Sequence, residues 1–245
     1  MRGYEEVRDN QEGLLFGDLP FLVTASHELK APLALIRQLS LALETGTLSS
    51  EEKTRLAQQI TLTAERALRL TTNISKTTRL EDSLFALEPI NPQQICEEVA
   101  HELTPLYKAN GRDIRVAMRH RPLLVVANYD LLRRIMLNFA DNALHYARSE
   151  APVELTVRSH GRGAHIRMGV RDYGPGIPND LWERLQKNIG TSAQPLHARP
   201  QSSGLGLYIA GQFADAMHGR IGAIRHQDGA TFYVDMGAST QLSLL

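Results

Sequence analysis

The 245-residue chain lacks three features that would assign it to a specialised class. It has a single cysteine, Cys96, which excludes an internal disulfide and fits a reducing compartment such as the cytoplasm. It has no run of about 18 apolar residues, so we expect no membrane-spanning helix in it. It has no excess charge, since 27 basic residues balance 27 acidic ones. A general nucleic-acid binder would show a basic excess, so no nucleic-acid partner is expected.

What the chain does have is a pattern for two paired helices in its first third. Residues 10–83 predict two helices joined by the segment ETGTLSS, with Ser49 or Ser50 as the N-cap of the second. Small and apolar residues recur at alternating steps of four and three, which is typical of a helical bundle. They are Leu56, Ile60, Thr63, Ala67, Leu70 and Ile74 on the second helix, and Ala25, Leu29, Pro32 or Leu33, and Ile36 on the first. Because two helices bury little surface, we expect two copies to form a dimeric four-helix bundle.

The remaining chain follows a different pattern, in which short β-like runs alternate with helices. Helical patterns lie at 92–107, 130–147 and 204–217, and strand pairs joined by the turns SHGRGAH and HQDGA predict antiparallel hairpins. This alternation predicts an α+β sandwich with helices covering a mixed sheet. We therefore expect two domains, at residues 1–84 and 85–245.

Polar side chains gather on one predicted helix of the second domain. Asn138, Asn142 and His145 are spaced four and three residues apart, so they share a helix face. Two carboxamides beside an imidazole would suit a hydrated magnesium ion and phosphate oxygens. The alternative is an ordinary solvated face.

Two glycine-containing segments suggest a ligand site. In VRDYGPGIP, Asp172 ends a strand and is placed to accept a hydrogen bond from an exocyclic amine. Gly174 and Gly176 would allow close approach to a ligand or a positive φ. In SSGLGLYIA, Gly204 and Gly206 open a helix whose free N–H groups can face phosphate. The polar stretch between these segments lacks a regular pattern and is a candidate lid.

The stretch FLVTASHELKAPLALIRQ places a histidine within the first helix. His27 is about 200° around the helix from both Ala25 and Leu29, so we expect it on the outer surface. Glu28 can accept a proton from the imidazole, which would make the ring more nucleophilic. Pro32 removes a helical hydrogen bond and predicts either a functional kink or a tolerated bend.

Taken together and in order, these segments resemble the sensor histidine kinases of two-component signalling. SHELKAPLALI resembles the H box, NFADNALHYA the N box, DYGPGIP and SGLGLYIA the two glycine boxes, and GATFYVDM the closing G-T-x-F segment. The resemblance implies a dimerisation and phosphotransfer hairpin followed by a Bergerat-type (GHKL) ATP-binding sandwich. It also implies Mg2+- and ATP-dependent autophosphorylation in a homodimer, with transfer to an aspartate of a response regulator receiver domain.

The resemblance assigns a role to each matched residue. His27 is the implied phospho-acceptor, Glu28 its neighbouring base, Asn142 a magnesium ligand and Asp172 the adenine contact. The residues implied in ATP binding are Asn138, Asn142, His145, Tyr146, Asp172, Gly174, Gly176, Ile177, Gly204, Leu205, Gly206, Leu207 and Thr231.

Several positions depart from the family pattern. Ala31 stands where the family often has Thr or Asn, which predicts weak phosphatase activity. His145 replaces a common lysine and would hold phosphate less well. The usual Phe-rich segment is replaced by LWERLQKNIG, in which Leu181, Trp182 and Leu185 are apolar substitutes.

Two alternatives stay open at this point. One is a nucleotide-binding scaffold dimer that transfers no phosphate. The other is a different GHKL ATPase, although those typically carry a glutamate at the position of Asn138. The expected location is the cytoplasm, with membrane attachment only if a sensor region belongs to a longer natural protein.

Overall fold

The structure, a computed structural model, describes residues 19–77, 80, 85–117, 123–146, 150–161, 164–191 and 205–240. The chain divides into two compact units. Of the described residues, the first unit contains 19–74 and Leu205, and the second contains those within 75–191 and 206–240. The predicted domain boundary between residues 84 and 85 stays a prediction, because residues 81–84 lie outside the described ranges.

The first unit contains a helical hairpin formed by α1 (Leu19–Thr45) and α2 (Ser50–Thr77), the last residues of which belong to the second unit. Ser49 is the N-cap of α2. Its hydroxyl accepts from the Glu52 N–H at 3.2 Å, and the Glu52 carboxylate accepts from the Ser49 N–H at 2.8 Å. This reciprocal capping box satisfies two N–H groups that a helix start leaves without partners.

Burial along the hairpin follows the predicted seam. Ala25 and Ala67 are buried, whereas Leu33 is 58% exposed and Pro32 is partly buried, so the seam of α1 passes through Pro32. The helix continues through this proline, which has no N–H to offer the Glu28 carbonyl. The described part of the hairpin still exposes large apolar side chains at Leu22, Val23, Leu33, Leu35, Leu41 and Leu68.

The second unit is a mixed sheet with helices, as the alternation of patterns predicts. Its elements in chain order are β1 (Glu88–Ile90), α3 (Pro92–Ala109), β2 (Ile114–Val116), β3 (Val125–Ala127), α4 (Tyr129–Tyr146), β4 (Val153–His160), β5 (His165–Tyr173), α5 (Asn179–Asn188), α6 (Leu205–Ala216), β6 (Arg220–His226) and β7 (Gly229–Gly237). The five-stranded sheet has the order β2-β4-β5-β7-β6, and β1 pairs separately with β3. Only β2 and β4 run parallel among these described pairs. The expected α+β sandwich is confirmed.

Helix α5 corrects one expectation. The segment after Gly176 was expected to lack regular structure, yet Asn179–Asn188 is helical and Leu185 is buried in it. Leu181 and Trp182 are partly buried on the same helix. The apolar residues of this segment therefore stabilise α5 by their burial. The later part of the predicted lid, residues 192–201, lies outside the described ranges.

The two faces of the large sheet differ in polarity, because alternate residues of a strand point to opposite sides. On β5 the core face carries Ile166, Met168 and Val170, all buried. These side chains pack in the same core as buried residues of the helices, including Ile95, Leu103, Ile135, Phe139, Ile209 and Phe213. The opposite face of β5 carries Arg167 and Arg171. Asp172 therefore extends the apolar row of the core face at the strand end.

Two glycines bring α6 close to the turn after α5. Gly190 has a φ of +75°, and a Cβ on Gly211 would lie 2.5 Å from both the Cα and the carbonyl oxygen of Gly190. No larger side chain fits at Gly211 without moving the backbone that it touches. Among the helices that the structure describes, none combines the length and hydropathy needed to cross a bilayer.

Candidate functional site

The site is centred on Asp172, a carboxylate at the end of the apolar row of β5. It is only 3% exposed, and its Oδ1 accepts from the Ala230 N–H of β7 at 3.3 Å. Burial raises the pKa of Asp172 from 3.8 to about 6, while the Ala230 N–H and the positive charge of Arg171 oppose the increase. At neutral pH this is a buried, ionised acceptor that suits an amine N–H of a ligand base.

Gly174 and Gly176 shape the wall of the site without unusual backbone angles. Neither has a positive φ, so this part of the expectation is corrected. A Cβ on Gly174 would lie 2.5 Å from the carbonyl oxygen of Tyr146, and one on Gly176 would lie 3.1 Å from that of Gln227. Glycine is required because neighbouring backbone approaches closely, and Tyr146 at the end of α4 lines the loop through its main chain.

Helix α4 presents its polar face to the start of α6. Asn138 and Asn142 are both partly exposed, and Asn138 Nδ2 donates to the Gly206 carbonyl at 3.5 Å. The amide of Asn142 lies 3.8 Å from the position that a Gly206 Cβ would occupy. The structure thus brings Asn138, Asn142 and Gly206 together, as the motif order suggests.

Tyr107 is a site neighbour that sequence reasoning missed. It is fully buried on α3, and its hydroxyl donates to the Ala140 carbonyl of α4 at 2.8 Å. Burial raises the pKa of Tyr107, and the charges of Asp141 and Asp172 raise it further. Nothing in the pattern of α3 separates this tyrosine from an ordinary core residue.

Thr231 is not brought together with Asp172. Its hydroxyl lies 2.9 Å from His226 Nε2, and it pairs across the strands with Arg171 on the opposite face of the sheet. The residue opposite Asp172 is Ala230. Counting alternate residues from the buried Phe232 would have identified Ala230, since both point to the core face.

The remaining predicted residues lie in varied environments. Leu205 and Leu207 are buried and pack in the interior, whereas Ile177 is partly exposed after Gly176. Gly204 and the side chain of His145 lie outside the described part of the chain. On α1, His27 is exposed and Glu28 is partly buried.

These donors and acceptors fit a purine nucleotide with magnesium. The buried Asp172 carboxylate can accept from an exocyclic amine. The amide oxygen of Asn142 can supply one ligand to a magnesium ion that otherwise keeps water and phosphate oxygens.

Comparison with protein families matches residues 127–239 to the histidine kinase-, DNA gyrase B- and HSP90-like ATPases. The matched range contains the residues described around Asp172 apart from Tyr107, whereas His27 and Glu28 on α1 lie outside it. ATP binding is the property that this family implies for the domain.

Curated relatives are sensor kinases that are longer than this chain. It is 28% identical over 232 residues to the hybrid signal transduction histidine kinase K of Dictyostelium discoideum, covering 87% of this chain and 19% of that protein. It is 27% identical over 228 residues to the sensor histidine kinase AruS of Pseudomonas aeruginosa, covering 88% and 22%. It is 28% identical over 210 residues to the adaptive-response sensory kinase SasA of Parasynechococcus marenigrum, covering 84% and 53%. The chain thus spans between about a fifth and about half of the length of these relatives.

Solved structures share the fold. Full-length ShkA in complex with AMPPNP superimposes with a TM-score of 0.60 at 24% identity, covering 91% of this chain and 47% of that one. The histidine kinase ThkA in complex with the response regulator protein TrrA gives a TM-score of 0.62 at 17% identity, covering 96% and 66%. Residues 127–239 thus match the histidine kinase-, DNA gyrase B- and HSP90-like ATPases, and the chain is similar to curated sensor histidine kinases over most of its length.

Proposed function

We propose that the chain is the core of a two-component sensor histidine kinase that uses Mg2+ and ATP to phosphorylate His27. The phosphoryl group then passes to an aspartate of a response regulator receiver domain. The observation that carries the proposal is the exposure of His27 next to a seam through the buried Ala25 and the partly buried Leu29. A histidine serving the core would not occupy this position, whereas a phospho-acceptor must be accessible.

The chemistry at His27 is a nucleophilic displacement at phosphorus. One imidazole nitrogen forms the new N–P bond while the bond from the γ-phosphorus to the ADP oxygen breaks. The proton on the other ring nitrogen passes toward the neighbouring Glu28, which acts as the base. Glu28 directly follows His27 on α1 and is partly buried.

The second unit would bind and orient the nucleotide. Asp172 accepts from the exocyclic amine of adenine and so selects the base. Asn142 would hold a magnesium ion through its amide oxygen, and such an ion would supply positive charge against the phosphates. The amides at the start of α6 lie beside Asn138 and Asn142 and would face the phosphate chain.

The hairpin would form the homodimer and dock the response regulator. The exposed apolar residues of the hairpin named above would be removed from water by packing against a second copy, which supports a dimer. His27 on the outer surface leaves that face accessible to a receiver domain. The relative ThkA has been solved with the response regulator TrrA.

We further infer that dephosphorylation of the response regulator is weak. Ala31 lies one turn after His27 and is exposed, but its methyl group cannot orient a water molecule. Thr or Asn at this position would supply the missing hydrogen bond.

The test is incubation with γ-labelled ATP and magnesium. We expect acid-labile protein label, as for a phosphoramidate, that is lost in His27→Gln and Asn142→Ala. His101→Gln is the matched control, since His101 is also an exposed helical histidine, on α3. Label that persists in His27→Gln would contradict the assignment of the acceptor. ATP binding without any label would overturn the autokinase and favour the scaffold alternative.

A further inference from the structure

Arg171 lies on the opposite side of the sheet from Asp172 and yet contacts the same strand ends. Its Nη1 donates to the backbone carbonyl of Asp172, and also to those of Asp228 at 3.4 Å and Ala230 at 3.5 Å. Its Nη2 pairs with the Asp228 carboxylate. The Arg171 side chain is only 11% exposed, whereas the carboxylate side chain of Asp228 is 67% exposed.

The three carbonyls belong to the segments that build the base site. Asp172 supplies the carboxylate, Ala230 supplies the N–H that holds it, and Asp228 lies in the turn leading into β7. Gly229 has a φ of +130°, and a Cβ there would lie 2.7 Å from both Arg171 Nη1 and Asp172 Oδ1. Arg171 thus joins β5, the turn and β7 at the point where the carboxylate must be held in place.

We propose that Arg171 is a positioning residue that fixes Asp172 for recognition of the nucleotide base. The inference rests on the proposed function, because it assigns Asp172 to the exocyclic amine of adenine. Arg171 itself touches no nucleotide from the far side of the sheet. It acts by holding the Asp172 carboxylate and the Ala230 N–H in their relative positions.

Arg167 offers a matched comparison on the same strand and the same face. It pairs with Asp235 through two bonds of 2.7 Å and lies 3.7 Å from the centre of the Tyr233 ring. Arg171 likewise pairs with an aspartate and lies 4.4 Å from the centre of the Tyr173 ring. In the part of the chain that the structure describes, Arg167 lacks the bonds to backbone carbonyls that Arg171 has. The two arginines therefore differ mainly in contact with the base site.

The experiment measures equilibrium binding of ATP and of inosine triphosphate to the natural protein, Arg171→Gln and Arg167→Gln. Inosine carries a carbonyl where adenine carries the amine, so the ratio of the two affinities reports recognition by Asp172. For Arg171→Gln we expect about 3- to 10-fold weaker ATP binding, the range for one lost hydrogen bond, with little change for inosine triphosphate. In Arg167→Gln the ratio of ATP affinity to inosine triphosphate affinity should equal that of the natural protein.

The inference would be overturned if Arg171→Gln kept the ratio of ATP affinity to inosine triphosphate affinity of the natural protein. It would also be overturned if this ratio fell equally in Arg167→Gln. Circular dichroism checks folding. If Arg171→Gln does not fold, Arg171→Lys keeps the charge but loses the planar fork, and a smaller fall in the ratio is expected. A natural protein that binds no ATP would refute the proposed function and this inference with it. If the natural protein binds ATP but the affinity ratio is unchanged in Arg171→Gln, the inference is refuted and the proposed function is not.

Discussion

Asp172 and Ala230 lie opposite each other on β5 and β7, and the Ala230 N–H donates to the Asp172 carboxylate over 3.3 Å. This bond engages Oδ1, one of the two oxygens of a nearly buried carboxylate. We therefore expect its protonation state to affect both nucleotide binding and stability.

ATP binding should weaken in mild acid. Because burial raises the pKa of Asp172 to about 6, the carboxylate is protonated below that value and no longer accepts from an amine. If only the ionised form binds, affinity falls about tenfold at pH 5, one unit below the pKa. Titration of ATP affinity between pH 5 and 8 checks this, with Arg171, Asp228 and Tyr107 as the other ionisable groups near Asp172. Asp172→Asn should bind weakly throughout, and an equally steep profile in that variant would refute the assignment.

Asp172→Asn should also stabilise the nucleotide-free protein at neutral pH. A folded-state pKa raised above the unfolded value of 3.8 means that ionised Asp172 opposes folding, so its contribution worsens as pH rises from about 4 to about 6. Removing the charge should raise the free energy of unfolding by about 1 to 3 kcal/mol at pH 7.5 and by less at pH 4. Thermal unfolding measures this, with Asp215→Asn, at an exposed position on α6, as control. A lower melting temperature in Asp172→Asn at pH 7.5 would count against this account.

Gly211→Ala should destabilise the second unit. The new methyl group would meet the backbone of Gly190 at 2.5 Å, so α6 must shift outward. Overpacking of this kind costs about 1 to 3 kcal/mol. Gly206→Ala in the same helix is the control, because its Cβ would make only ordinary contacts at 3.8 Å. Urea unfolding followed by the fluorescence of Trp182 compares them, and equal midpoints would contradict the close contact.

Ser49→Ala should loosen the first turn of α2. It removes the hydroxyl that accepts from the Glu52 N–H, a cap that contributes about 1 kcal/mol. Amide hydrogen exchange at Glu52 should accelerate about fivefold as a result. Ser50→Ala is the neighbouring control, and the same protection of Glu52 in both variants would show that the cap contributes nothing.

Sequence patterns correctly predicted the structural features that depend on neighbouring residues in the chain. The alternation of helices and strands, the cap at Ser49 and the position of Asp172 at a strand end follow from spacing and side-chain type within a few residues. The helix at Asn179–Asn188 was missed because its polar surface hides a single buried position at Leu185.

Other features depend on segments that are distant in sequence. Gly174 is required by the Tyr146 carbonyl of α4, and Gly211 by the turn at Gly190. The choice of Ala230 over Thr231 follows from strand register, which the resemblance to a G-T-x-F segment did not settle. The hydroxyl of Tyr107 on α3 donates to the Ala140 carbonyl on α4, and these two helices are separated in the chain by β2 and β3. Such contacts become visible only in the folded chain.

The Asp172 to Ala230 bond closes a loop of 58 residues, so the base site depends on β7 being in place. Contacts of such sequence separation form late, after the entropy of closing the loop has been overcome. During synthesis, β5 leaves the ribosome well before β7, and Asp172 then has neither its amide donor nor the clamp of Arg171 on the β6–β7 turn. A nascent chain therefore completes the site around Asp172 only after β7 has been added.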